Sequence, residues 1–343
     1  MLLEGIFAAI PTPFYSDERI YLRKMEANIA RYSRSLLSGI LVLGSTGEAV
    51  MVDDAESRDV LRVAAETAAP EKVLIAGVAR ESVKGTVALA EAAADFGYDA
   101  VLVRTPAYFA KHMTTAAVLN YFRCVADRSP LPVILYNIPQ CVPYNIPVEV
   151  VAALAEHSNI IAIKDSSGSI ERIRELVAGA SKAPRRTVTV TPIFEAVTVR
   201  MLAPKTVAND ALVSIGGAVA TPAPIKTRNK EVGFQVLGGS TATLLDSLDA
   251  GASGSILAFA SFAPEACQEV YLAWKDRDFN LAKEKHQRIL AASQRIVSQL
   301  GMSGLKYACD FNGYYGGKTR APLLQITAAE KVEIEGLLAG IRN

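Results

Sequence analysis

Short apolar runs alternate with longer stretches of helical spacing along most of the chain. The runs predict strands at Ile6–Ile10, Ile40–Leu43, Val73–Ala76, Ala100–Val103, Val133–Tyr136, Ile160–Ile163, Phe234–Leu237 and Gly254–Leu257. Several are too uniformly apolar for a sheet with one wet face, and suit parallel strands covered on both faces. Between them, Val83, Val87, Ala90 and Ala94 mark an apolar helical stripe that Gly97 ends. Asp53 with Glu56 carries the capping-box signature of another helix start.

Eight strand-helix units in succession favour a closed (β/α)8 TIM barrel, an α/β fold, over an open doubly wound sheet. The open alternative lacks its phosphate fingerprint, because Pro11-Thr12-Pro13 follows the first strand in place of a glycine-rich turn. Two stretches break the alternation. An insert at about 182–232, between helix 6 and strand 7, carries Pro184, Pro192, Pro204, Pro222 and Pro224. Its alternating runs Thr187–Val190 and Ala196–Val199 predict short strands. Loops in such units take about 2–6 residues, so roughly forty residues here are surplus. Following a helix and preceding a strand, the insert should emerge at the barrel face opposite the catalytic one, with a packing or assembly role. The barrel then occupies 1–277, and 278–343 forms a C-terminal helical extension with a glycine-rich break at Gly313–Gly317. The 343 residues accommodate this, since one barrel takes about 250.

Charge narrows the partners. Lys plus Arg total 36 against 35 Asp plus Glu, so there is no excess to attract nucleic acid or an anionic membrane, and small metabolites are the expected partners. The four cysteines, Cys124, Cys141, Cys267 and Cys309, form no CxxC pair and read as reduced thiols. The three histidines, His112, His157 and His286, are as scattered, so no metal is expected. The opening segment carries Glu4 and no basic leader, and no apolar run approaches the ~18–20 residues of a membrane helix. A cytoplasmic location follows as the expectation.

Three segments carry candidate chemistry. In Ile160-Ile161-Ala162-Ile163-Lys164-Asp165-Ser166-Ser167-Gly168, a lysine ends an apolar strand at the face where barrel enzymes work. Desolvation disfavours an ammonium, so such a site can supply an amine nucleophile; the plainer alternative pairs Lys164 with Asp165. In Leu43-Gly44-Ser45-Thr46-Gly47-Glu48, two glycines and two hydroxyls can approach a small anion, or simply make a turn. Tyr136, ending the strand of Leu135-Tyr136-Asn137-Ile138-Pro139, can shuttle a proton or merely satisfy its hydroxyl.

Together the GSTGE, YNIP and IAIKDSSG segments resemble the dihydrodipicolinate synthase / N-acetylneuraminate lyase family of class I, Schiff-base aldolases, in order and spacing. The resemblance covers nearly the whole chain outside the insert. It implies that Lys164 forms the Schiff base, that Tyr136 moves protons, and that Ser45 relays them. It also implies that Thr46 helps hold the substrate carboxylate, and that Tyr108 reaches into the adjacent subunit's site. Gly239 and Ile256 match substrate-contacting positions. The implied substrate is a 2-oxo acid such as pyruvate, with no cofactor, in a homodimer or homotetramer.

One departure bears on the reaction. Lysine-biosynthetic synthases carry an arginine for the aldehyde's carboxylate two residues after the YNxP proline, where this chain has Cys141. The serine of GSTGE, the runs Val236–Ser240 and Gly313–Gly317, and Arg320-Ala321-Pro322-Leu323 look closer to 4-hydroxy-2-oxoglutarate aldolase, although Thr46 departs from the animal members. That enzyme is the preferred reading, the lysine-pathway synthase the alternative. A non-catalytic 2-oxo acid binding barrel stays open, because fold alone does not establish turnover.

Overall fold

A computed structural model describes residues 1–203 and 226–341. Six parallel strands come first: β1 (Gly5–Ala9), β2 (Gly39–Val42), β3 (Val73–Gly77), β4 (Ala100–Arg104), β5 (Val133–Asn137) and β6 (Ile160–Asp165). β7 (Arg186–Val190) and β8 (Arg228–Val232) form a separate antiparallel pair, after which β9 (Gln235–Gly238) and β10 (Gly254–Leu257) return to the main sheet. The sheet closes in the order β1-β10-β9-β6-β5-β4-β3-β2, an eight-stranded parallel barrel. All eight apolar runs became its staves.

Helices α1 (Leu22–Arg34), α2 (Asp54–Thr67), α3 (Val83–Asp95), α4 (Thr115–Ala126), α5 (Val148–Ala155) and α6 (Ile170–Gly179) cover the first six strands. Asp53 and Glu56 close the expected capping box on α2, and Gly97 follows α3 at φ +84°. Uniformly apolar strands are required because each face has its own cover. Leu102, Ile134, Ala162 and Leu237 fill the barrel interior, while Val101, Val103, Leu135 and Ile163 face the helices.

The β5–β6 register contains a bulge. Val133 pairs with Ile160 but Ile134 pairs with Ala162, leaving Ile161 as the extra residue. Beyond it Tyr136 lies abreast of Lys164, and Asn137 of Asp165.

The β7–β8 pair packs on the N-terminal ends of the strands. Val188 and Val190 bury against Leu2, Lys230 pairs with Glu4, and Arg186 donates to Ile160 O at 2.8 Å. Thr187–Val190 is therefore strand, as its alternation predicts. Ala196–Val199 is not: Ala196 makes one bridge, and Thr198 then caps the short helix α7 (Val199–Leu202). The Thr198 hydroxyl accepts from Met201 N, and Asp99 receives Val199 N at 2.7 Å; side-chain acceptors overrode the strand pattern. Pro204, Pro222 and Pro224 lie outside the described residues.

After the short α8 (Leu244–Asp249), α9 (Pro264–Lys275) completes the shell, and the chain continues into α10 (Phe279–Ala292), α11 (Gly301–Phe311) and α12 (Ala328–Leu338). A π-helical segment, Ser293–Gln299, joins α10 to α11, and the glycine-rich break separates α11 from α12. Among the described residues no helix is long and apolar enough to cross a membrane.

Candidate active site

Lys164 points inward at the C-terminal end of β6, with only 4% of its surface exposed. Its Nζ lies 4.4 Å from the centroid of the Tyr136 ring. The bulge at Ile161 makes this contact possible, since an unbulged register would set Lys164 beside Asn137.

Asp165 does not pair with Lys164. Successive strand residues face opposite ways, so Asp165 points out of the barrel. There it receives Arg172 Nε at 2.7 Å, Asn137 Nδ2 at 2.8 Å and Ser167 N at 2.9 Å. Arg172 also donates to Ile146 O, and Asn137 Oδ1 accepts Ile146 N at 2.9 Å. This network fixes the ends of β5 and β6 from behind, and the strand-end ion pair considered for Lys164 is replaced by it. Among the described residues Lys164 has no ion-pair partner.

Ser45 and Thr46 begin a 3-10 turn, Ser45–Gly47, between two residues held at positive φ, Leu43 at 56° and Glu48 at 52°. A non-glycine residue there costs on the order of 1–3 kcal/mol, so the surroundings must impose the conformation. They do so on two sides. Gly77 has no side chain where a Cβ would meet Leu43 O at 1.9 Å, and Thr12 donates to Gly47 O at 2.7 Å. Glu48, buried, is gripped from the C-terminal extension: Lys306 on α11 is its ion-pair partner, and Arg320 N donates to its other oxygen at 3.3 Å. Burial pushes the Lys306 ammonium down from its ordinary range, and Glu48 opposes that shift. Lys306 Nζ and the Arg320 guanidinium each lie 4.3 Å from the Phe14 ring centroid, and Arg320 pairs with Glu56.

Ser45 is exposed, Thr46 is buried, and Ser45 lines one small cavity with Tyr136, Leu102 and Arg104. Gly239 stands at the end of β9, its N–H bonded to Asp165 O at 2.8 Å; a Cβ would meet Ser166 Oγ at 2.0 Å. Ile256 is fully buried in the barrel interior on β10. Tyr108 is 82% exposed, packed edge-on against Phe109 at 5.0 Å, on a different cavity from Ser45 and Tyr136. Among the described residues no hydrogen bond links Ser45, Tyr136 and Tyr108 within one protomer. The implied hydroxyl chain is therefore not assembled within a single copy. A separate cleft of about 280 Å³ opens at the other end of the barrel, beside Lys72 and Phe194, far from the Lys164 end of the strands.

Sequence reasoning missed Arg104. It ends β4 as Lys164 ends β6, a charge closing an apolar run, and that signal was present in Val101-Leu102-Val103-Arg104. Arg104 Nη2 donates to Glu81 Oε1 at 2.9 Å, and Glu81 Oε2 receives the backbone N–H of Ala107 at 2.9 Å and of Tyr108 at 3.0 Å. Burial acts to raise the Glu81 carboxyl, but the Tyr108 N–H, Arg104 and the Ala107 N–H outweigh it and hold the group below its ordinary value.

The family model described as the dihydrodipicolinate synthetase family matches residues 2–185 and 194–340. The chain belongs to this family. The two matched ranges part at 186–193, inside the insert. A 4-hydroxy-tetrahydrodipicolinate synthase of Acidiphilium cryptum is 25% identical over 340 residues, 99% of each chain. An L-threo-3-deoxy-hexylosonate aldolase of Hypocrea jecorina is 28% identical over 345 residues, covering 99% of this chain and 95% of that one. The crystal structure of a dihydrodipicolinate synthase from Bacillus anthracis superposes with TM-score 0.80 at 23% identity, covering 100% of both chains. The protein is thus an enzyme of the class I aldolase and synthase type, and the non-catalytic alternative is set aside.

Proposed function

We propose that this family member splits 4-hydroxy-2-oxoglutarate into pyruvate and glyoxylate through a Schiff base on Lys164. The buried amine against the Tyr136 ring carries the reading. The neutral amine attacks the C2 ketone, and water leaves to give a cationic imine. Tyr136 gives the proton that leaves with this water, and as the phenolate it then accepts the proton of the C4 hydroxyl as the C3–C4 bond breaks. The bonding pair moves into the imine, glyoxylate departs, and an enamine remains. Protonation at C3 and hydrolysis release pyruvate and restore Lys164. Thr46, in the turn clamped by Glu48, serves the 2-oxo acid carboxylate, and Ser45 relays protons. Gly239 and Ile256 shape the far wall.

The names of the relatives favour a second reading, condensation of pyruvate with aspartate semialdehyde. Cys141 stands where those synthases place an arginine for the aldehyde's carboxylate, so that carboxylate is not held from the same loop position here. Glyoxylate release from 4-hydroxy-2-oxoglutarate is expected to exceed the condensation rate in kcat/KM. Faster condensation would install the synthase reading instead.

Tyr108 and Phe109, 82% and 64% exposed, form an apolar projection suited to burial in a second copy. In this proposal Tyr108 supplies the missing hydroxyl to the neighbour's Tyr136, so the active unit is at least a dimer. Sedimentation should show no monomer at catalytic concentrations. A fully active monomer would remove Tyr108 from the site.

A further inference from the structure

β4 presents alternate residues to alternate faces. Ala100 and Leu102 lie in the barrel interior, Val101 and Val103 in the shell, and Arg104 continues the inward set. Its register partner is Tyr136, whose own partner on the next strand is Lys164. Arg104, Tyr136 and Lys164 thus stand at one register level on three adjacent strands. Arg104 is largely covered, its side chain 16% exposed, and it lines the cavity that Ser45 and Tyr136 share.

We propose that Arg104 recognises a carboxylate on the aldehyde half of the substrate, so that the enzyme takes 2-oxo acids whose far end is anionic. This rests on the aldolase reading. The order of groups across the strands matches their order along such a substrate. Lys164 holds C2, Tyr136 meets the C4 hydroxyl, and Arg104 meets the carboxylate at C5. Nη1 donates to Thr105 O at 2.8 Å and Nη2 to Glu81 Oε1 at 2.9 Å, which aims the planar fork. A guanidinium has five N–H donors, so these contacts leave it able to bind a second carboxylate. Glu81 is the ionised partner of Arg104, and a substrate carboxylate would take the N–H donors that Glu81 and Thr105 leave unused.

The surroundings agree. Burial pushes the Cys141 thiol up, and the positive charge that opposes the shift is Arg104's. Tyr144, further along the same loop, is raised mainly by burial, with Glu81 adding to the shift and Arg104 opposing it. The loop after Pro139 has no cation of its own at Cys141, and β4 supplies one from the side.

The test needs no knowledge of the natural substrate. Full-length protein is incubated with borohydride and graded pyruvate, 2-oxoglutarate or 2-oxopentanoate, and the Lys164 adduct is weighed. The last two differ at the chain end, carboxylate against methyl. Wild type should half-saturate with 2-oxoglutarate at a concentration roughly 10- to 100-fold below that for 2-oxopentanoate, the range of a charged hydrogen-bonded pair. Arg104→Gln should erase that preference and Arg104→Lys retain part of it, each variant's pyruvate adduct serving as its reference for intact folding. A wild type with no preference, or a preference intact in Arg104→Gln, would overturn the proposal and leave Arg104 as a fastener of the Tyr108 loop. Absence of any wild-type pyruvate adduct would instead sink the aldolase reading beneath it.

Discussion

Lys164→Met should abolish the borohydride-trapped pyruvate adduct and lower turnover on the order of 10⁴-fold or more, the scale of losing a covalent nucleophile. Methionine keeps an unbranched side chain against the Tyr136 ring and puts an uncharged group where the amine was buried, so the fold should survive. The measurement is intact mass after trapping, paired with initial rates and a folding check by circular dichroism. An adduct of unchanged yield, or turnover within tenfold of wild type, would move the chemistry to another residue. Loss of the fold itself would show Lys164 to be a packing element first.

The second large effect lies away from the reacting atoms. Lys306→Met should destabilise the protein by about 3–5 kcal/mol, because Glu48 is left as an unpaired charge in a dry site. Combining it with Glu48→Gln should recover most of that loss, since neutralising both partners removes the stranded charge. Denaturant unfolding of the two single variants and the double gives the coupling directly. The double variant should also show a raised KM for the 2-oxo acid, because the turn that carries Thr46 then loses its ion-pair anchor on α11. A single-variant loss below about 1 kcal/mol would mean water reaches Glu48 and the clamp is not closed.

These two residues show different kinds of evidence. Lys164 could be picked out from its own neighbourhood, since a charge closing an apolar run is a local anomaly. Arg104 carries the same anomaly on β4, but no motif beside it marks it as chemical. Lys306 gave no such signal. It sits in a stretch of helical pattern, and its partner lies near the other end of the chain, so spacing along the sequence says nothing of the pair. The alternation at Ala196–Val199 misled for a related reason. Its period is that of a strand, but Thr198 and Asp99 offered the backbone better hydrogen bonds as a helix start.

The chain's own pattern determined the eight staves, the enclosing helices and the amine at the end of β6, because burial on both faces writes itself into consecutive residues. Tertiary structure alone decided that the amine meets a phenol rather than an amide. The extra residue at Ile161 slides β6 by one position against β5, and which residues then stand abreast depends on two strands at once. Periodicity reports which face of an element is buried; it carries no record of which neighbour does the burying.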